Sequence, residues 1–240
     1  MFRRFFGRAR PVTHIPAPAP STPLAVIGDV HGRADLLSKA LKGSAGTTVL
    51  VGDYIDRGED SAGVLRALAE REDLICLMGN HEEMLLKFLD TPEDHGRRWL
   101  RYGGLQTLAS FGVTGAMETS GAQELERARD SLAEAMGPAL IDWVRARPSM
   151  WQSGNVAITH AGADPAMPMA AQSPQVLRWG HPDFYSTPRT DGIWVVHGHT
   201  IVETPAMRNG RLSVDTGAYA TGRLTMALIT DQGVSFETIR

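Results

Sequence analysis

Short apolar runs that stop at polar clusters organise this chain. LAVIGDVHG begins at Leu24 and runs four apolar residues into Gly28-Asp29-Val30-His31-Gly32. A helical pattern follows, with Leu36, Leu37, Ala40 and Leu41 on one face. TTVLVGDYIDRG repeats the plan, a strand running into Gly52-Asp53 and a polar loop. Asp60 or Ser61 then caps a helix whose apolar positions are Val64, Leu65 and Leu68. LICLMGNHEE is a third strand, ending at Gly79-Asn80-His81-Glu82 and opening the helix EEMLLKFLD.

Residues 92–147 change character. They hold helix-like runs such as GRRWLRYGGLQTLASFG and QELERARDSLAEAMGPALIDWVRARP, and they predict a helical insertion or cap. Strand patterns then return. NVAITHAG ends at His160, GIWVVHGHT ends at His197-Gly198-His199, and RLSVDTG, RLTMALIT and VSFETIR complete the set. No repeat of solenoid period is visible. Strands alternating with helices predict an α/β fold, in which ligands bind beyond the carboxyl ends of the strands. Five separate runs deliver Asp29 with His31, Asp53, Asn80, His160 and His199 to that end.

Composition narrows the chemistry. At 240 residues, 42% hydrophobic and 21% charged, the chain is an ordinary globular one of one or two domains. A single cysteine excludes a disulfide framework and a thiolate metal cluster, and Cys76, inside an apolar run, reads as core. No run approaches eighteen apolar residues, so no transmembrane helix is expected. A net charge of −3 and 7% aromatic residues argue against nucleic acid as a partner. The reading is a cytoplasmic protein without stable membrane insertion. Residues 1–10 carry four arginines and no acid, and residues 11–23 carry five prolines. Residues 1–23 are therefore expected to form a basic, flexible tail ahead of a domain spanning 24–240. That tail suits either a solvated terminus or a weak surface tether through Phe2, Phe5 and Phe6.

Three imidazoles, two carboxylates and one amide converge at the strand ends, a donor set that suits manganese, iron or zinc rather than calcium. Six donors exceed one tetrahedral site. They suit two cations roughly 3.5–4 Å apart that share a carboxylate and activate a water for phosphoryl displacement. Arg57, in the Asp53 loop, can hold phosphate oxygens by charge-assisted hydrogen bonds. His81 can protonate the leaving oxygen, with a carboxylate such as Asp56 holding its other nitrogen.

GDVHG, GDYIDRG and GNHE together resemble the signature of the metallophosphoesterase superfamily, and more narrowly its bacterial and phage-type serine/threonine phosphoprotein phosphatases. WLRYGGLQTLASFG, HAG and VDTGAYATGRLT extend the resemblance over roughly Leu24 to Ile229. It implies an α/β/β/α sandwich with two central mixed sheets and a helical insertion. It also implies roles. Asp29 and His31 hold one metal, Asp53 bridges, and Asn80, His160 and His199 hold the second. Arg57 and Asn80 contact phosphate, and His81 with Asp56 handles the leaving-group proton. His197 stands beside the ligands; His14 and His95 take no role. One departure stands out. These relatives carry a phosphate-binding arginine two positions after a tryptophan, where LRWGHPDFY has His181; Arg178, before Trp179, is the substitute.

The resemblance implies a manganese-type phosphatase with phosphorylated proteins as partners. Two alternatives stay open: a symmetrical diadenosine tetraphosphate hydrolase, and a phospho-binding protein without turnover. The former needs a base-stacking cleft in residues 92–147, where Trp99, Tyr102 and Phe111 are the aromatic candidates.

Overall fold

The computed structural model describes residues 15–43 and 46–240. The phenylalanines of the basic tail and His14 lie outside these residues. Strand β1 (Leu24–Ile27) leads to helix α1 (Ala34–Gly43), β2 (Thr47–Leu50) to α2 (Ser61–Ala69), and β3 (Leu74–Cys76) to α3 (Asn80–Asp90). Helices α4 (Pro92–Trp99), α5 (Leu105–Ser110), α6 (Ala122–Met136) and α7 (Pro138–Arg145) follow. The second half runs β4 (Met150–Ser153), β5 (Val156–Thr159), α8 (Pro174–Trp179), β6 (Trp194–His197), β7 (Ala206–Arg208) and β8 (Arg211–Ser213). It ends with α9 (Ala218–Thr221), β9 (Leu224–Thr230) and β10 (Gly233–Ile239).

The strands form two five-stranded mixed sheets, ordered β10-β9-β1-β2-β3 and β4-β5-β6-β8-β7. Within them β1, β2 and β3 run parallel, as do β5, β6 and β8. The expected α/β sandwich is therefore present. Alternation along the central strands separates two cores. Leu24, Val26 and Val49 face Ile158, Val196 and Leu212 of the other sheet, whereas Ala25, Ile27 and Leu50 face the helices. Both faces are covered, which explains why these strands read as unbroken apolar runs. Each fully buried Val or Ile contributes about 1.5–3 kcal/mol. The layer beneath thus helps to fix the strand ends.

Asp60 caps α2, its carboxylate accepting the Gly63 N–H at 2.7 Å. Residues 92–147 are helical but do not stand apart as a cap. Trp99, Leu108, Leu125, Leu132 and Val144 join the same buried cluster as Ile27 and Leu50. The expected run through residues 96–112 is broken by a wide turn at Leu100–Gly104, where Gly103 has φ 113°. A side chain there would meet the Arg57 backbone nitrogen at 2.6 Å, so the glycine lets this turn lie against the Arg57 loop.

The Pro-rich segment also differs from the expected free linker over its described part. Pro16 O accepts the Trp194 indole N–H at 2.7 Å, the Ala19 N–H reaches Asn155 Oδ1 at 2.6 Å, and Ile15 packs against the inter-sheet core. Proline-rich backbone cannot add a ladder, but its free carbonyls accept from side chains. No helix among the described residues is long and apolar enough to cross a membrane.

Candidate metal centre

Two groups of donors meet at the carboxyl ends of β1, β2, β3, β5 and β6. His31, Asp53 and His81 place ligand atoms within 4.8 Å of one another, and so do Asp53, His160 and His199. Asp53 belongs to both groups. Its Oδ2 lies 3.5 Å from His31 Nε2 and its Oδ1 lies 3.3 Å from His160 Nε2. Asn80 Oδ1 sits 2.8 Å from both His160 Nε2 and His199 Nδ1.

The ring orientations are set from outside the cluster. His31 Nδ1 donates to Ile55 O at 2.7 Å and His160 Nδ1 donates to Val51 O at 3.2 Å. Each ring then turns a lone pair on Nε2 toward Asp53 or Asn80, the orientation a metal ligand needs. Burial pulls His31 down to about 3 and His199 to about 4, so both rings are neutral near pH 7. Burial opposes ionisation of Asp53 as well, but His160, His81 and His31 hold its carboxyl well below the usual range.

Asp29 supplies the test of fit. Its Oδ2 accepts the His199 backbone N–H at 2.9 Å, while its Oδ1 is buried with no hydrogen-bond partner. Burial, with Asp215 and Asp53 beside it, lifts this carboxyl well above its ordinary value. A buried carboxylate oxygen without a donor is costly unless a cation completes it. Convergent lone pairs of His160, His199 and Asn80, with no thiolate among them, fit the same kind of divalent ion. Gly198 makes this approach achievable, since a Cβ there would lie 1.8 Å from Asp29 Oδ1.

His81 and Arg57 form the other side. His81 Nδ1 lies 2.6 Å from Asp56 Oδ2. Burial disfavours a charged His81, yet Asp53 and Asp56 outweigh it and raise its pKa. Arg57 places Nη1 3.0 Å from His31 Nε2 and Nη2 3.1 Å from His81 Nε2. His181 lies with His199 on the wall of a depression of about 340 Å³, and its Nε2 is 3.7 Å from Asp164. Arg178 does not line that depression. Its Nε donates to Ser149 Oγ at 3.0 Å and its Nη1 approaches Glu83 at 3.4 Å.

The family model for calcineurin-like phosphoesterases matches residues 22–203, a span that takes in all six candidate ligands as well as Asp56, Arg57 and His81. The chain belongs to that family. This metallophosphoesterase is 27% identical over 258 residues to the symmetrical bis(5'-nucleosyl)-tetraphosphatase of Ralstonia nicotianae, covering 88% of this chain and 90% of that protein. It is 38% identical to serine/threonine-protein phosphatase 2 of Escherichia coli over 84 residues, 33% of this chain and 37% of the relative. The matches to the first curated relatives span only 36% and 37% of those proteins. Among solved structures, a putative diadenosine tetraphosphatase superposes with a TM-score of 0.65 at 19% identity, covering 93% of this chain and 97% of that one.

Several residues beyond the donors and the phosphate-handling side chains brace the metallophosphoesterase centre. Glu82 is fully buried and accepts backbone N–H groups from Asp53, Tyr54 and Gly79 at 2.8–2.9 Å. It thereby ties the second motif to the third. Burial and then Asp53 raise its carboxyl to about 7. Trp99 and Thr107 donate to Asp56, and Tyr219 lies under the Arg57 guanidinium at 5.0 Å and edge-on to His31 at 5.3 Å. Glu82 had a sequence signal, a carboxylate three positions after Gly79 at a helix start. Trp99 and Thr107 stand in WLRYGGLQTLASFG, but nothing in that stretch marks Asp56, 43 and 51 residues away, as their partner.

Proposed function

We propose that this chain is a two-metal phosphomonoester hydrolase of the cytoplasm that acts on phosphoserine and phosphothreonine in proteins. The observation that carries the chemistry is Asp53, whose two carboxylate oxygens face separate groups of histidines. Asp29, His31 and Asp53 would hold one cation; Asp53, Asn80, His160 and His199 would hold the other, with manganese as the native ion and iron or zinc as alternatives. Bound there, such ions lower the pKa of a water and neutralise charge developing on the phosphoryl oxygens. Arg57 orients the phosphate by charge-assisted hydrogen bonds. His81, whose protonated form Asp56 favours, gives its Nε2 proton to the leaving oxygen, while Asp56 holds Nδ1–H throughout and fixes the tautomer and plane of the ring. His181 stands where the family arginine is expected and shares a wall with His199.

A groove beside Arg57 supports a protein substrate. It encloses about 520 Å³ and is lined by Arg33, Asp35, Glu59 and Asp60 together with Tyr219. Arg33 is neutralised by a bidentate contact to Asp35 at 2.7–2.8 Å; Arg57, also on the wall, offsets one of Glu59 and Asp60 and leaves one carboxylate in excess. That excess repels a polyphosphate chain and tolerates a neutral or basic peptide. The second reading, hydrolysis of a dinucleoside tetraphosphate, rests on the near full-length match to the Ralstonia tetraphosphatase.

Hydrolysis of a phosphoserine/phosphothreonine peptide panel and of diadenosine tetraphosphate, side by side with Mn²⁺ and with Asp53→Asn as blank, tests the proposal. Metal-dependent phosphate release from the peptides supports it. Fast dinucleotide cleavage with sluggish peptide turnover replaces it with the second reading. Turnover of neither, with two metals bound, makes the chain a phospho-binding protein.

A further inference from the structure

On the outer face of the second sheet, Arg211 is a buried cation without an anion. It sits on β8 at 7% exposure. Its guanidinium donates to two backbone carbonyls, Asn209 at 3.2 Å and Thr187 at 2.6 Å, and stacks 5.2 Å over the Phe184 ring. Burial lowers its proton affinity, and Tyr185 is the one group that counters this. Among the described residues no carboxylate lies within ion-pair distance of Arg211 or of Arg208 on the adjoining strand. A guanidinium removed from water without a counter-charge is unfavourable, and an anion from outside would complete it.

The surroundings leave room for that anion. A depression of about 320 Å³ is lined by Tyr185, Ala206, Arg208, Asn209, Arg211 and Ser213, two cations and no acid. Tyr185 also walls the depression that holds His181 and His199. Beneath the shared wall, His197 lies edge-on to Tyr185 at 5.6 Å and its Nε2 lies 3.1 Å from Ser213 Oγ. The two depressions are neighbours across one aromatic side chain.

We propose that the Arg208–Arg211 depression is an oxyanion subsite that takes a phosphate group next to the reacting one. Planar guanidinium groups bind phosphate oxygens in pairs, and a low-dielectric wall strengthens each bond. The phosphate can come from a second phosphoryl group on the same substrate or from free inorganic phosphate. The first source rests on the phosphoesterase reading above; the second does not.

Calorimetric titration of the protein as purified with inorganic phosphate tests the subsite directly. Arg208→Gln and Arg211→Gln each weaken one phosphate site about tenfold, whereas Arg71→Gln, a surface guanidinium paired with Asp73, changes nothing. Arg208 is exposed, so its variant stays informative if the buried Arg211→Gln fails to fold. Unaltered phosphate titrations in a folded Arg208→Gln and a folded Arg211→Gln overturn the proposal. KM then separates the sources. A tenfold lower KM for a doubly than for a singly phosphorylated peptide, lost in Arg208→Gln, identifies the second phosphoryl group; equal KM values identify free phosphate. Failure to turn over any phosphoester overturns the phosphoesterase reading and leaves the titration result standing.

Discussion

Trp99 directs its indole N–H at both carboxylate oxygens of Asp56, at 3.0 and 3.2 Å. With Thr107 Oγ1 at 2.6 Å and His81 Nδ1 at 2.6 Å, it fixes the plane of a fully buried carboxylate. A hydrogen bond to a charged group is worth about 1.5–3 kcal/mol. Trp99→Phe is therefore expected to lower kcat by about tenfold or more while metal content stays at the wild-type value. Steady-state kinetics with metal analysis checks this; loss of metal in the variant would mean that Trp99 supports the ligands instead.

Asp53 and His81 separate metal binding from proton transfer. Asp53→Asn removes the one anion common to both donor groups and is expected to abolish turnover and release metal. His81→Asn is expected to retain metal and slow turnover about 10²–10⁴-fold. Metal loss in the His81 variant would refute its assignment as proton donor.

Gly198 sits against Asp29 with no room for a methyl group. Gly198→Ala places its Cβ 1.8 Å from Asp29 Oδ1, so the carboxylate must swing away. Metal content and kcat are expected to fall together, with a loss of stability of about 1–3 kcal/mol because Val51 Cγ2, 2.8 Å from the new Cβ, must also give. A variant that binds metal normally would show that Asp29 is no ligand.

His181 shares a wall with His199, and Arg there would add a permanent charge. The inhibition constant for inorganic phosphate is expected to fall about tenfold in His181→Arg, the order of one charge-assisted hydrogen bond. Unchanged inhibition would place the side chain away from bound phosphate.

Burial pushes the Cys76 thiol up to about 12. At pH 8 its thiolate is then about one part in 10⁴, and Ellman's reagent is expected to leave the native protein unlabelled. Labelling that appears only at the unfolding transition confirms it; rapid labelling of the folded protein would contradict the packing of β3.

The apolar runs were legible because both faces of the central strands are buried, so no polar alternation hides them. β4 and β7 were not legible. Ala206, Met207 and Arg208 are all exposed, and only pairing with β8 makes them a strand. The helices of residues 92–147 were visible, but their attachment to the main core was not, because Leu125 and Leu132 carry no mark of the partner they pack on. At the site, the six donors ended five apolar runs, Asp29 and His31 sharing one, and the runs announced them. Glu82, Trp99 and Thr107 act on those donors through backbone or carboxylate atoms that are brought near only by folding.

Six described residues other than glycine adopt positive φ, and five of them are His31, Asp53, Asp56, Arg57 and His199, at 44–70°. Such conformations cost of the order of 1 kcal/mol or more apiece. Glycine would adopt each without strain. The chemistry of this protein is thus set against its own folding: His31→Gly or His199→Gly would relieve tension in the metal-free chain while deleting a donor. Selection for thermostability alone would be expected to erode the site first, at the turns where its side chains are least comfortable.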